Sequence, residues 1–234
     1  MAKYIVVAGG VISGTGKGIA AASIGLLLKL RGLNIDLVKF DPYLNINAGI
    51  IRPSDHGEVF VCDDGSEVDL DLGSYERLAG IETTAKNICT SGTLYKELIK
   101  EQESGKYLGQ TIQIIPHITD SIQERLLDLG KDKDVVIVEI GGTIGDNESF
   151  SFFEGIRQLK KKLKDDVLIV VVAPILWIQT IKEFKTKPLQ NSVKELQKYG
   201  LQPDVIFCRT DRDVPNKILD KISMMTGVKK ENLI

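Results

Sequence analysis

Tyr4–Ser23, YIVVAGGVISGTGKGIAAAS, is the stretch that decides the fold. Tyr4–Ala8 is a short apolar run closed by glycines, the pattern of a buried parallel strand. Beyond it, Ile19, Ala22, Ser23, Leu26, Leu27 and Leu30 recur three and four apart and predict a helix that Gly32 should end. Between strand and helix, Gly9, Gly10, Gly14, Gly16 and Gly18 crowd a turn. Such a turn aims backbone N–H groups and a helix N-terminus at one point, which makes an anion cradle, and Lys17 adds a cation for the outer phosphates. The usual phosphate loop reads GxxxxGK[ST]. Here Gly10 stands further from Gly16, and Gly18 replaces the hydroxyl residue that would hold Mg²⁺, so carboxylates must supply the metal ligands.

Working outward, strand and helix patterns alternate. Strands are predicted at Ile35–Phe40, Glu58–Val61, Val68–Leu72, Thr111–Ile115, Val135–Ile140, Val167–Ala173 and Asp204–Cys208. Helices are predicted at Leu94–Glu103, Ile118–Leu129, Phe152–Leu163, Ser192–Tyr199 and Lys217–Met225. An Asp63–Gly65 turn should join the second and third of those strands. This order implies an α/β fold with a mainly parallel sheet and helices on both faces. Ligands of such sheets lie outside the carboxyl ends of the strands, where the candidate motifs fall.

The 234 residues suit one domain, residues 1–234, with a substantial core. Thirty basic against 32 acidic side chains give a net charge of −2, so no basic field for nucleic acid exists. Cys62, Cys89 and Cys208 form no CxxC pair, and a disulfide scaffold is not expected. The run at Val167–Ile178 is too short to span a membrane, and MAKYIVVAGG lacks a secretory cleavage pattern. A cytoplasmic protein is the expectation.

Glu139 ends an apolar strand beside Gly141, Gly142 and Gly145, where such folds place a magnesium ligand or water positioner. Asp69 and Asp71, two apart on a segment read as extended, should point the same way. Lys39 closes the second strand, before a turn containing Pro42 and Asn45. Lys185 and Lys187, ahead of Pro188, form a small cluster suited to a polyanion or simply a solvated loop. His56 is a polar binding group or a loop histidine, and the residues alone leave both open.

Taken together, GGVISGTGKGIAAAS, KFDPYLN, HGEVFVCDDGSEVDLDLGSYER, YLGQTIQIIPHIT, VVIVEIGGTIGD, KTKPLQ and QPDVIFCRTDR resemble the synthetase (amidoligase) domain of the CTP synthase family. The strings stand in the family's order from residue 4 to about 215 and cover nearly the whole chain. The resemblance implies a P-loop NTPase fold of the dethiobiotin-synthetase type. It implies ATP-dependent amination of UTP to CTP through a 4-phosphorylated pyrimidine, with Mg²⁺ and with ammonia as nitrogen source. Carried over by position, Ser13, Gly14, Thr15, Gly16, Lys17, Gly18, Ile19, Asp71 and Arg209 would contact ATP. Lys17 and Lys39 would be catalytic, and Asp71 and Glu139 would hold the metal. Ser13, His56, Gln113, Asp146, Glu148, Lys185, Lys187, Gln190 and Lys221 would contact the pyrimidine nucleotide, partly from a neighbouring subunit of a homo-oligomer, a dimer or tetramer.

The family's usual strings differ from this chain at Asn47, Ile50–Arg52, Asn147, Leu189, Asn191 and residues 103–109, on the substrate and assembly side. The family's glutamine amidotransferase domain is not expected within these residues, so ammonia would come free or from a separate partner. Two alternatives stand beside this reading. One is a stand-alone amidoligase with a different carbonyl acceptor or amine. The other is a nucleotide-binding regulatory subunit without turnover.

Overall fold

Strand β1 (Lys3–Gly9) runs through the middle of a six-stranded sheet and delivers the chain to the glycine-rich turn. In the structure, a computed structural model, residues 2–12, 14–52, 54 and 57–234 are described. Helix α1 (Lys17–Lys29) follows, then β2 (Ile35–Asp41), and a small antiparallel pair, β3 (Val59–Val61) and β4 (Glu67–Asp69). Next come α2 (Leu70–Ala79), β5 (Ile88–Thr90), α3 (Ser91–Glu103) and α4 (Thr119–Leu129). The chain continues through β6 (Val135–Ile140), α5 (Phe150–Leu163), β7 (Val167–Pro174) and a hairpin of β8 (Leu176–Ile178) with β9 (Glu183–Lys185). It ends with α6 (Lys187–Lys198), β10 (Val205–Arg209) and α7 (Asn216–Thr226).

The sheet order is β10-β7-β1-β6-β2-β5, and every pairing in it is parallel. Successive residues face opposite sides. On β6, Val136, Val138 and Ile140 enter a large core with α3 to α7, while Val135 and Ile137 enter a smaller core with α1 and α2. Helices therefore cover both faces, as predicted. Both edges of the sheet are limited. β5 is only three residues long. Along β10, Leu233 forms a parallel bridge with Ile206, and the Ile234 N–H donates to the Ile206 carbonyl at 2.9 Å.

Several expectations need correction. The predicted leucines Leu26, Leu27 and Leu30 do not face the sheet, although Leu28 packs against the smaller core. Leu27 and Leu30 are 52% and 74% exposed, and the buried side is Gly18, Ala20, Ala21, Ala22 and Gly25. Small residues let α1 lie close: a Cβ on Gly25 would stand 3.0 Å from Leu37 Cδ1. The predicted strand at Val68–Leu72 stops at Asp69, because Asp69 caps α2 by accepting from the Asp71 N–H at 2.8 Å. The predicted strand at Thr111–Ile115 is irregular chain running into a wide helical turn, Ile114–Ile118. Pro116 has no N–H for a ladder there. Strand β5 and the β8–β9 hairpin were not predicted.

Candidate functional site

Three strands aim their carboxyl ends at one cleft of about 530 Å³, lined by residues 14–19, Lys39, Asp69, Asp71, Glu139 and the Gly141–Gly142 turn. The loop enters α1 through Gly16, whose φ of 86° lies in the left-handed region that glycine adopts without strain. The α1 N-terminus, with no acidic residue in its first turn, opens onto the cleft. Lys17 Nζ reaches across it and donates to the Gly142 carbonyl at 2.6 Å. Burial pushes the Lys17 ammonium pKa down, opposed chiefly by the Glu139 carboxylate.

Lys39 and Asp41 alternate on β2 and so share the α1/α2 face of the sheet. Across the β2–β6 ladder Lys39 stands level with Glu139. Its ammonium, almost fully buried, lies 2.5 Å from Asp71, 3.0 Å from Asp69 and 3.6 Å from Asp41. Burial alone would lower its pKa, but Asp41, Glu139, Asp71 and Asp69 together hold it well above the ordinary lysine value. Glu139 shows the opposite balance. Burial, then the Asp71 carboxylate, pushes its carboxyl up to about 7. The hydroxyl of Tyr75, fully buried on α2, donates to Glu139 Oε2.

Asp71 and Glu139 both close on Gly18. A Cβ there would meet Asp71 Oδ1 at 2.6 Å and Glu139 Oε2 at 3.4 Å. Among the described residues no three His, Cys, Asp or Glu side chains form a preformed metal cage. Two carboxylates beside a phosphate cradle nevertheless fit Mg²⁺, which takes one or two carboxylates together with phosphate oxygens and waters.

The expected residues thus fall into groups. Residues 14–19, Lys39, Asp71 and Glu139 meet at the cleft. Arg209, at the end of β10, brings its guanidinium to 3.8 Å from the place a Cβ on Gly16 would occupy. Asp146 accepts from the Thr143 N–H at 3.1 Å and hydroxyl at 2.7 Å, shaping the second glycine turn. Glu148 lines a neighbouring cleft of about 270 Å³ with Tyr95, Ile114 and Phe150; Gln113, exposed, precedes Ile114. Lys185, Lys187, Gln190 and Lys221 do not line the main cleft. Lys185 pairs with Glu183 at 2.7 Å, and Lys221 also acts on that carboxylate. Gln190 is buried and donates to Thr186 Oγ1 at 2.8 Å. Ser13 and His56 lie outside the described residues.

Sequence reasoning missed Asp41 and Tyr75. Each had a signal: Asp41 is two residues from Lys39 on a strand, and Tyr75 is four from Asp71 on a helix.

Comparison with known proteins follows this geometry. A family profile described as CTP synthase N-terminus matches residues 3–234. The CTP synthase of Methanococcus maripaludis is 51% identical over 233 residues, which is 99% of this chain and 44% of that protein. The CTP synthase of Pyrobaculum calidifontis is 52% identical over 228 residues, 97% of this chain and 43% of that protein. The chain therefore spans less than half the length of these curated relatives. Among solved structures, the signal recognition particle 54 kDa protein from Aeropyrum pernix K1, in complex with GDP, superposes with a TM-score of 0.52 at 13% identity, covering 97% of this chain and 40% of that one. That likeness, with the parallel sheet and its loop, makes the fold an α/β fold of the P-loop type.

Proposed function

Since the chain belongs to the CTP synthase N-terminus family, matching it over residues 3–234, we propose that it performs the ATP-dependent amination of UTP to CTP. The observation that carries this reading is the meeting of Lys17, Lys39, Asp71 and Glu139 in one cleft at the carboxyl ends of β1, β2 and β6.

The chemistry is phosphoryl transfer followed by substitution at an activated carbon. The UTP 4-oxygen attacks the γ-phosphorus of ATP and ADP leaves. Ammonia adds to C4, loses a proton, and inorganic phosphate departs with the oxygen. Residues 14–18 and Lys17 hold the phosphates through backbone N–H groups and one ammonium. Lys39, its proton kept by four carboxylates, is a fixed positive charge against the transferring group rather than a proton donor. Asp71 and Glu139 would hold Mg²⁺, which would supply charge neutralisation beside the phosphates. Arg209 lies at the adenine side, and Ser13, His56, Gln113, Asp146, Glu148, Lys185, Lys187, Gln190 and Lys221 serve the pyrimidine nucleotide. Ammonia is the nitrogen donor, and the chain works as a homo-oligomer. Among the described residues no helix is long and apolar enough to cross a membrane.

The test incubates the protein with ATP, Mg²⁺, UTP and ammonium chloride. CTP should appear in step with ADP. ADP without CTP would mean a different acceptor, and nucleotide binding without any turnover would overturn the enzyme reading in favour of a regulatory subunit. Lys39→Ala should lower the rate by about 100-fold or more, the scale of losing one preorganised charge. Its melting curve separates this loss from unfolding.

A further inference from the structure

Helix α6 backs both glycine turns. The Val11 N–H, on the phosphate loop, donates to Ser192 Oγ at 3.0 Å, and the Ser192 hydroxyl donates to the Pro188 carbonyl at 2.9 Å. Ser192 is fully buried. A Cβ on Gly10 would stand 2.6 Å from that Oγ, so only glycine lets the loop and the hydroxyl come this close. One turn further along α6, Glu195 lies against the second turn: a Cβ on Gly145 would be 3.3 Å from Glu195 Cγ. The helix is itself fixed, with Leu189, Val193 and Leu196 buried in the larger core and Gln190 bonded to Thr186. Its first residue is Lys187, and Lys185 ends the strand before it. One rigid element thus joins the phosphate loop to the lysine pair.

We propose that Ser192 is a positioning residue that sets the register between the donor-phosphate loop and the acceptor-holding end of α6. The proposal rests on the reading of Lys185 and Lys187 as ligands of the pyrimidine nucleotide. Phosphoryl transfer requires attacking oxygen, phosphorus and leaving oxygen in line, and a misplacement of about 1 Å can cost about 100-fold in rate. Without Oγ the Val11 N–H turns to solvent and the loop is released from α6. Each nucleotide still binds, but the two no longer meet in line.

The test measures kcat for CTP formation and, separately, the dissociation constants of ATP and UTP. Ser192→Ala should lower kcat by about 10- to 100-fold while both dissociation constants stay within about threefold. Ser192→Thr keeps the hydroxyl, which can still bond the carbonyl four residues back, and should recover much of the loss. Gly10→Ala presses on the same contact from the other side and keeps the proposal testable if Ser192→Ala melts. It should lower kcat in the unsubstituted background and less in the Ser192→Ala background, where only the milder contacts with Ala173 Cβ at 3.2 Å and Ser192 Cβ at 3.4 Å remain. An unchanged kcat in Ser192→Ala, a loss matched by weaker ATP binding, or additive effects of the two substitutions would overturn this proposal alone. Failure of the unsubstituted protein to bind UTP or make CTP would overturn the functional reading, and this proposal with it.

Discussion

Glu139 is held between opposing demands: burial and Asp71 raise its carboxyl to about 7, while Lys39 and the Tyr75 hydroxyl favour the charged form. The consequence for stability has a definite sign. In the unfolded chain this carboxyl ionises near its ordinary value of 4.5, whereas in the fold it keeps its proton to about 7. Its contribution is fully present below pH 4.5 and is lost as pH rises towards and past 7, a change of up to about 3 kcal/mol. Chemical denaturation in chelator should show stability falling between pH 5 and pH 8, with Glu139→Gln flattening that slope. An identical slope in the variant would remove Glu139 as its source. Added Mg²⁺ should stabilise the unsubstituted protein more at pH 8 than at pH 5.5, because protons then no longer compete for the carboxylate.

At the scale of elements, the start of α2 does double service. Asp69 both caps the helix and sits 3.0 Å from the Lys39 ammonium. Asp69→Asn keeps a capping oxygen and loses only charge, whereas Asp69→Ala loses both. Urea melts should place the alanine variant below the asparagine one by about 1 kcal/mol, the usual worth of an N-cap. Equal stabilities would mean the cap is idle. This helix also marks the limit of what could be read from the chain alone. The alternation V-D-L-D-L at 68–72 imitates a strand, yet Asp69 before the helix, Gly80 after it and Leu72, Tyr75 and Ala79 on one face were helix signals. β1, β6 and β7 were legible because their apolar runs of four or more residues have few other readings, and β2 because its apolar residues sit between a helix end and a Pro-containing turn. β5 was not, since three residues carry no period, and the β8–β9 hairpin was hidden by a continuous apolar run through Ile178. The cleft residues were legible where motif and strand end coincide. Ser192 was not, because its partner is a backbone N–H 181 residues away in sequence.

For the whole molecule, the sheet divides labour between its faces. The α1/α2 side carries the smaller core, onto which the small residues of α1 pack, and holds the charged cleft, while the opposite side carries the larger core, including the stacked Phe40–Phe152 and Phe153–Tyr199 pairs at 5.1 Å. Three buried carboxylates, the half-buried Asp71 and a buried lysine are thereby confined to the face on which α1 packs closely. The edges of the same sheet have a consequence in concentrated solution. A bare strand edge is a template for any other extended chain, and here β10 is shielded by the bridge from Leu233 and the hydrogen bond from Ile234. Leu233→Asp should lift that cover, and light scattering should then report association beyond that of the parent, growing with protein concentration, while nucleotide binding persists. A variant as monodisperse as the parent would show the cover to be dispensable. Colloidal behaviour would thus hang on two residues that take no part in the chemistry.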